Sequence, residues 1–112
     1  MTGPDAFEAF VDERGTLVPI ELDRTAFPPR RVFVVAAPLA GATRGGHEVT
    51  CREQLVLVAG RVQVRIDDRT EVLEHPGASV LIEPGQTMSY DLAPGGSTVV
   101  VLADEPWTGP RP

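Results

Sequence analysis

The sequence lacks most features that mark disulfide-stabilised, membrane-spanning or exported proteins. Its single cysteine, Cys51, excludes an internal disulfide and leaves no pair of thiolates for a zinc site. No apolar run approaches the roughly 20 residues that a membrane-spanning helix needs. The N-terminal residues lack the basic and apolar regions of a signal peptide, so we expect a cytoplasmic protein.

The basic residues are all of one type, and acidic residues outnumber them. All ten basic residues are arginines, lysine is absent, and the formal net charge is −6. This charge argues against a protein that coats nucleic acid or an anionic membrane, so we expect neither as a partner. A small molecule is the expected partner, because a local group of arginines still suits one phosphate group.

Helical periodicity with caps is also missing, and runs of β-branched residues between glycines and prolines predict short strands instead. Val62, Val64 and Ile66 alternate with polar residues, as in a strand with one buried face. The chain length suits one domain, and the strand spacing indicates a sandwich or barrel. The strands 54–58 and 61–66 are expected to form a hairpin across Ala59 and Gly60. The predicted strands are 31–36, 54–58, 61–66, 70–74, 78–82, 87–92 and 98–102.

The middle of the chain resembles the first cupin motif, G-x5-H-x-H-x3-E-x6-G. The residues at its intervals are Gly41, His47, Val49, Glu53 and Gly60. A second motif is matched approximately from Gly77 to Pro84 and Gly85, with Met88 in place of its histidine. The resemblance implies an all-β fold, a single antiparallel jelly-roll (cupin) barrel spanning 1–112. Its core is expected over about 12–104, with a short strand or turn in the first ten residues and an extended tail at 105–112.

The cupin ligand positions are only partly kept. In the motif two histidines, the glutamate and a third histidine hold a metal ion, and this chain retains His47 and Glu53 alone. Val49 and Met88 are apolar, and two ligands rarely hold a divalent ion against water. We therefore expect no metal and no other cofactor.

Further elements resemble the WxcM-like branch of cupins, the sugar 3,4-ketoisomerases. They are Arg14–Glu21 (R-G-x-L-x-x-x-E), Arg31–Phe33 (R-V-F), Arg44–His47 (R-G-x-H) with Gln54 downstream, and Val101–Ala103 (V-L-A). The resemblance covers residues 12–104. It implies interconversion of nucleotide-linked 4-keto-6-deoxy sugars, such as dTDP-4-keto-6-deoxyglucose, with their 3-keto isomers. The family's catalysis is assigned to two histidines, of which the second is Val49 here.

The expected catalytic residues are His47 and Glu53. A histidine titrates near neutrality, so His47 can accept and return a proton, with Glu53 as its partner. The alternative for His47 is a vestigial histidine that is hydrogen-bonded in the barrel mouth, and the alternative for Glu53 is a hydrogen-bond acceptor for His47. Arg44 is expected to anchor a diphosphate, or else to pair with Glu48 or Glu53. The expected substrate-binding residues are Arg44, Val49, Met88, Tyr90 and Gln54.

Two functions follow from these residues. The first is a metal-independent, isomerase-like proton-transfer enzyme acting on a nucleotide-linked 4-keto-6-deoxy sugar or a related natural-product intermediate. The alternative is a non-catalytic ligand-binding or accessory cupin. A homodimer is expected in either case, because related small cupins pair through N-terminal strands and an open strand edge invites pairing.

Overall fold

Ten strands make up the regular secondary structure of the computed structural model, which describes residues 6–110. This confirms the predicted all-β class. The strands are β1 (Phe10–Asp12), β2 (Gly15–Leu17), β3 (Arg31–Ala36), β4 (Ala42–Glu48), β5 (Glu53–Ala59), β6 (Val62–Ile66), β7 (Arg69–Leu73), β8 (Ser79–Ile82), β9 (Thr87–Leu92) and β10 (Thr98–Ala103). Over the described range, no helix is long and apolar enough to cross a membrane.

Two antiparallel four-stranded sheets form the barrel. One has the strand order β3-β10-β5-β8 and the other β4-β9-β6-β7, while β1 and β2 form a separate hairpin. The inner faces of both sheets supply one continuous apolar core, as in a jelly roll. Val62, Val64 and Ile66 are fully buried on the face that their alternation predicted. The core cluster comprises Val35, Val49, Leu55, Leu57, Val62, Val64, Ile66, Leu73, Val80, Ile82, Met88, Tyr90, Leu92, Val99 and Val101.

The predicted hairpin across Ala59 and Gly60 is wrong. β5 pairs with β10 and β8, whereas β6 pairs with β7 and β9, so the chain changes sheet at this turn. Gly60 has a φ of +78° and lies against Ser97, where an added Cβ would come within 2.2 Å of the hydroxyl oxygen. The same hydroxyl accepts the Arg61 N–H at 3.1 Å and donates to the carbonyl of Ala93 at 2.8 Å. These contacts fix the turn on the loop before β10.

The remaining predicted strands agree with the structure to within one residue at each end. Three strands lie outside the seven that the residue pattern predicted: the two strands of the β1–β2 hairpin and β4. Arg14 pairs with Asp12 within that hairpin. The predicted tail has no regular secondary structure as far as Pro110, and the rest of it, like residues 1–5, lies outside the described residues.

Candidate active site

A cavity of about 600 Å³ opens between the two sheets where β3 and β4 lie. β3 is an edge of one sheet and β4 an edge of the other, so the gap between them gives access to the barrel interior. Both sheets and the C-terminal segment supply its walls. The lining residues are Arg31, Phe33, Val34, Val35, Arg44, Gly45, His47, Glu53, Met88, Tyr90, Trp107 and Pro110.

A β-bulge in β4 sets the direction of the two β4 side chains that matter most. Arg44 lies opposite Tyr90 on β9, and His47 lies opposite Met88, so one extra residue is inserted between them. On a regular strand, residues three apart point to opposite faces, but one inserted residue restores the same face. Both Arg44 and His47 therefore line the cavity.

The bulge depends on two consecutive glycines. Gly45 and Gly46 have φ values of +88° and +86°, which L-residues rarely adopt. Gly45 also approaches β9 closely, because an added Cβ would lie 2.8 Å from the carbonyl oxygen of Met88. The glycines of the R-G-x-H element therefore form the bulge that places Arg44 and His47 on the same wall of the cavity.

Glu53, the first residue of β5, provides a carboxyl group inside this cavity. Burial raises its pKa, and the positive charges of Arg31 and His47 counteract that rise in part. A carboxyl group with a raised pKa exchanges protons closer to neutrality than an exposed one does. His47 itself is exposed at the mouth of the cavity.

Tyr90 supplies a phenol beside these groups and is 5% exposed. Burial raises its pKa, while the neighbouring Arg44 acts in the opposite direction and the Glu53 charge adds to the rise. The phenol therefore stays protonated near neutral pH and is available as a hydrogen-bond donor.

Two arginines bring positive charge to the cavity. The Arg31 guanidinium lies over the rings of Phe33 and Trp107, and Arg44 extends from β4. Neither forms a salt bridge within residues 6–110, so the alternative pairing of Arg44 with Glu48 or Glu53 is not seen there. The cavity joins proton-exchanging groups to two arginines that form no salt bridge among the described residues, a combination suited to proton transfer on an anionic ligand.

The family model described as "FdtA: WxcM-like, C-terminal" matches residues 5–110. The chain belongs to this family. The sequence resemblance is thereby confirmed, and the R-G-x-H element of this WxcM-like protein coincides with the bulged β4 wall of its cavity.

Solved structures with the same fold include sugar-nucleotide enzymes. The sugar 3,4-ketoisomerase QdtA from Thermoanaerobacterium thermosaccharolyticum, determined in complex with TDP, is 26% identical with a TM-score of 0.73, over 92% of this chain and 80% of that one. A 3,4-ketoisomerase from Helicobacter canadensis is 23% identical with a TM-score of 0.76, over 93% and 83%. The dTDP-4-dehydrorhamnose 3,5-epimerase from Bacillus anthracis is 16% identical with a TM-score of 0.74, over 92% and 71%. A comparison with curated proteins found no match.

Five of the seven predicted site residues line the cavity of this WxcM-like protein. They are Arg44, His47, Glu53, Met88 and Tyr90. Val49 does not line it, because its side chain is 1% exposed and lies deeper, in the apolar core. Gln54 does not line it either. It follows Glu53 on β5 and therefore faces the other way, where its amide accepts from Ala26 N–H at 3.0 Å and donates to Ser79 Oγ at 3.2 Å.

Seven of the twelve lining residues were not predicted as site residues, and three of these, Arg31, Phe33 and Trp107, carry a charge or an aromatic ring. Arg31 and Phe33 belong to the R-V-F element, and their spacing of two places both on one face of β3. From that spacing the sequence could have predicted that Arg31 and Phe33 share a face. No such pattern was available for Trp107, because a residue in a segment without regular structure has no periodicity that predicts where it packs.

The donor set of the cavity does not fit a divalent metal ion. His47 and Glu53 remain from the cupin ligand set, and Met88 and the core residue Val49 contribute apolar groups at the other two positions. Among the described residues, the one group of three potential ligands within 4.8 Å of one another is Cys51, Asp104 and Glu105, outside this cavity. Asp104 is already bound there by Arg52 at 3.0 Å.

A second cavity of about 960 Å³ lies between β7, β8 and the N-terminal segment that contains Phe7. It is larger, but its Arg69 is paired with Glu71 and none of the predicted site residues lines it. His75 lies here, away from His47. The candidate active site is the cavity between β3 and β4, because the R-G-x-H element meets the carboxyl group of Glu53 and the phenol of Tyr90 there.

Proposed function

We propose that this WxcM-like protein is a sugar-nucleotide isomerase that acts by proton transfer on a nucleotide-linked 4-keto-6-deoxy sugar or a related natural-product intermediate. The observation that carries the proposal is the meeting of His47, Glu53 and Tyr90 with Arg31 and Arg44 in one cavity. The 26% identity to a 3,4-ketoisomerase determined in complex with TDP supports this substrate class.

The reaction shifts a carbonyl group by one carbon. A base takes the proton from C3, and the electron pair moves toward C4 while the C4 oxygen gains a proton, which gives an enediol. The C3 hydroxyl then loses its proton as C4 gains one, so the carbonyl ends at C3. No oxidant or reductant is consumed, because the two carbons exchange oxidation states.

His47 is proposed as the acid and base for this transfer, and Glu53 as its partner. The raised pKa of Glu53 lets the carboxyl group hold a proton in one half of the reaction and return it in the other. Tyr90 is placed to donate a hydrogen bond to a ligand oxygen, and the arginines favour negative charge that develops on the enediol. Glu53 thus takes the place of the family's second histidine.

The test is turnover of TDP-4-keto-6-deoxyglucose by the wild-type protein and by His47→Gln and Glu53→Gln. Loss of an acid–base group lowers kcat by about 100-fold or more. Leu39→Ala, at a residue 81% exposed and outside the cavity, is the matched control. Full activity in His47→Gln with an intact fold would refute this assignment.

Metal independence is proposed from the donor set and is tested separately. Protein dialysed against EDTA and shown by elemental analysis to be metal-free is expected to keep its turnover. Activity that falls with the metal content and returns on adding one divalent ion would overturn this part of the proposal.

A non-catalytic, ligand-binding or accessory role is the second candidate. It is favoured by the lining of the cavity, in which His47 is the one imidazole because a valine, Val49, stands at the position of the family's second histidine. Under this role the wild-type protein binds TDP without converting the keto sugar, and His47→Gln binds equally well.

A cytoplasmic homodimer is the proposed state of the protein. β3 is an edge strand whose outer face exposes Val32 (57%) and Val34 (62%), and such an edge is a template for pairing. The β1–β2 hairpin also exposes Phe10 and Val11. Light scattering is expected to give twice the chain mass, and Val32→Asp, at a residue that does not line the cavity, to give the monomer. A monomeric wild-type protein would contradict the proposal.

A further inference from the structure

Tyr90 is the one tyrosine of the chain, and it belongs both to the apolar core cluster and to the lining of the cavity. Its side chain is almost fully buried, so the surrounding core holds the ring in place. A ring that is held in this way has little conformational freedom to lose when a ligand binds. Tyr90 therefore presents its hydroxyl group at a fixed place in the cavity wall.

Tyr90 and His47 are diagonal neighbours on one wall of the cavity. His47 on β4 lies opposite Met88 on β9, and Tyr90 is two residues further along β9. Diagonal neighbours on adjacent strands are about 7–8 Å apart, a separation within the reach of aromatic side chains. An imidazole and a phenol thus border one space, in which two adjacent carbon atoms of a ligand fit between them.

Glu53 faces this pair from the other sheet. It is the first residue of β5, which belongs to the sheet opposite the one that holds β4 and β9. The charge of Glu53 adds to the rise in the pKa of Tyr90, and the charge of His47 lowers the pKa of Glu53, so the three groups lie close enough to influence one another. A sugar ring bound between the two sheets would lie within reach of all three.

Arg44 lies opposite Tyr90 and acts on the phenol directly. Burial raises the pKa of the Tyr90 phenol, and the charge and hydrogen bond of Arg44 act in the other direction. A guanidinium group has N–H donors and no acceptor, so the phenol oxygen accepts in this hydrogen bond and the phenolic proton stays available. The positive charge also favours a phenolate over an unpaired one. The phenol can therefore give its proton to a ligand and take one back.

Resting on the proposed function, we propose that Tyr90 is a catalytic residue that moves the oxygen-bound protons of the ligand, while His47 moves the carbon-bound proton. In the first half, His47 takes the proton from C3, the C3–H electron pair forms the C3–C4 double bond, and the C4 oxygen takes the proton of the phenol. In the second half, the phenolate takes the proton of the C3 hydroxyl, the electron pair left on that oxygen forms the C3 carbonyl, and C4 takes the proton from His47. Both residues return to their starting state, and no oxidant or reductant is consumed.

One phenol can serve both oxygens because they are carried by adjacent carbon atoms. In this scheme Glu53 remains the partner of His47 in the transfer of the carbon-bound proton. The new assignment concerns the second pair of proton transfers, those at C4 oxygen and C3 hydroxyl.

The first test is the steady-state turnover of TDP-4-keto-6-deoxyglucose by Tyr90→Phe, which keeps the ring and removes only the hydroxyl group. We expect kcat to fall by about 100-fold or more, as for the loss of an acid–base group, while the affinity for TDP stays unchanged. Ser89→Ala is the matched control, because it removes a hydroxyl group from the neighbouring residue on β9, which faces away from the cavity. A wild-type kcat in Tyr90→Phe would overturn the inference.

The second test changes the acidity of the phenol and keeps its shape. Because the chain has one tyrosine, fluorotyrosine supplied during expression replaces Tyr90 alone. Fluorine makes a phenol more acidic, so the alkaline limb of the kcat profile, where the proton donor ionises, is expected to move to lower pH. A residue with a merely structural role would leave that limb in place, and an unmoved limb would overturn the inference.

These outcomes are distinct from those that test the proposed function. If the wild-type protein and Tyr90→Phe convert the keto sugar equally well and His47→Gln does not, the isomerase stands and the inference fails. If the wild-type protein binds TDP but does not convert the sugar, the isomerase proposal fails and the inference fails with it.

Discussion

The adjacent glycines of the β4 bulge allow a prediction in which one variant controls for the other. Gly45 and Gly46 have nearly the same positive φ, +88° and +86°, so alanine at either position adopts the same unfavourable backbone conformation. This costs about 1–2 kcal/mol. The two sites differ in space, because nothing lies within 4 Å of an added Cβ at Gly46, whereas the Met88 carbonyl oxygen lies 2.8 Å from one at Gly45.

Gly46→Ala is therefore expected to lower the free energy of unfolding by about 1–2 kcal/mol, the conformational cost alone. Gly45→Ala adds an overlap with the backbone of β9, a strand held on both sides by β4 and β6. Overpacking of this kind costs about 1–3 kcal/mol more, for a total of about 2–5 kcal/mol.

Urea denaturation of the two variants and the wild type measures these differences. Gly45→Ala is also expected to weaken TDP binding more than Gly46→Ala does, because relieving the overlap displaces the Arg44 and His47 wall. Equal destabilisation by the two substitutions would refute the close approach of β4 to β9 and the account of how His47 is placed.

Three further substitutions test the site and the core. Burial raises the pKa of Glu53 in the folded protein, so the contribution of its protonated carboxyl group to the free energy of unfolding is present below the unfolded pKa and is lost as the pH rises through the folded pKa. In thermal melts from about pH 4 to pH 8, Glu53→Gln is therefore expected to gain stability relative to the wild type as the pH rises. A difference between the two proteins that stays constant with pH would contradict this. Gln54→Leu is expected to lose about 1–3 kcal/mol in urea denaturation by leaving Ser79 and the Ala26 N–H without partners, while TDP titrates unchanged; weakened TDP binding would place Gln54 in the site. Leu55→Ala, at a fully buried residue, is expected to cost about 2–5 kcal/mol, and a loss below about 1 kcal/mol would contradict the core assignment.

The strands were predictable because their signals are local. The run Arg31–Ala36 is rich in β-branched residues and stops before Pro38, and the segment Thr87–Leu92 begins just after a Pro-Gly turn. The partner of each strand was not predictable in the same way. β5 and β6 are adjacent in sequence and both face the core, a pattern equally compatible with a hairpin and with a change of sheet. Contacts of Gly60 and Arg61 with Ser97, at least 36 residues away in sequence, decide between them.

The candidate site likewise combines residues that the sequence predicted with contacts that it could not predict. His47 and Glu53 were found because their spacing follows a family motif, and both line the cavity. Val49 is two residues from His47, so alternation along a strand predicts that both side chains share a face. Val49 lies in the apolar core, however, and alternation does not show how deep in a barrel a side chain lies. The packing of Trp107 on Arg31 joins segments more than 70 residues apart, and local patterns carry no information about such a contact.

The central claim is that the cavity between β3 and β4 moves protons on a sugar. The most direct measurement follows TDP-4-keto-6-deoxyglucose by proton NMR after mixing with metal-free protein in deuterated buffer. The account predicts new signals from the 3-keto isomer, at a rate that His47→Gln lowers by about 100-fold or more. An unchanged keto sugar in the presence of protein that demonstrably binds TDP would contradict it and would identify the protein as a binding cupin.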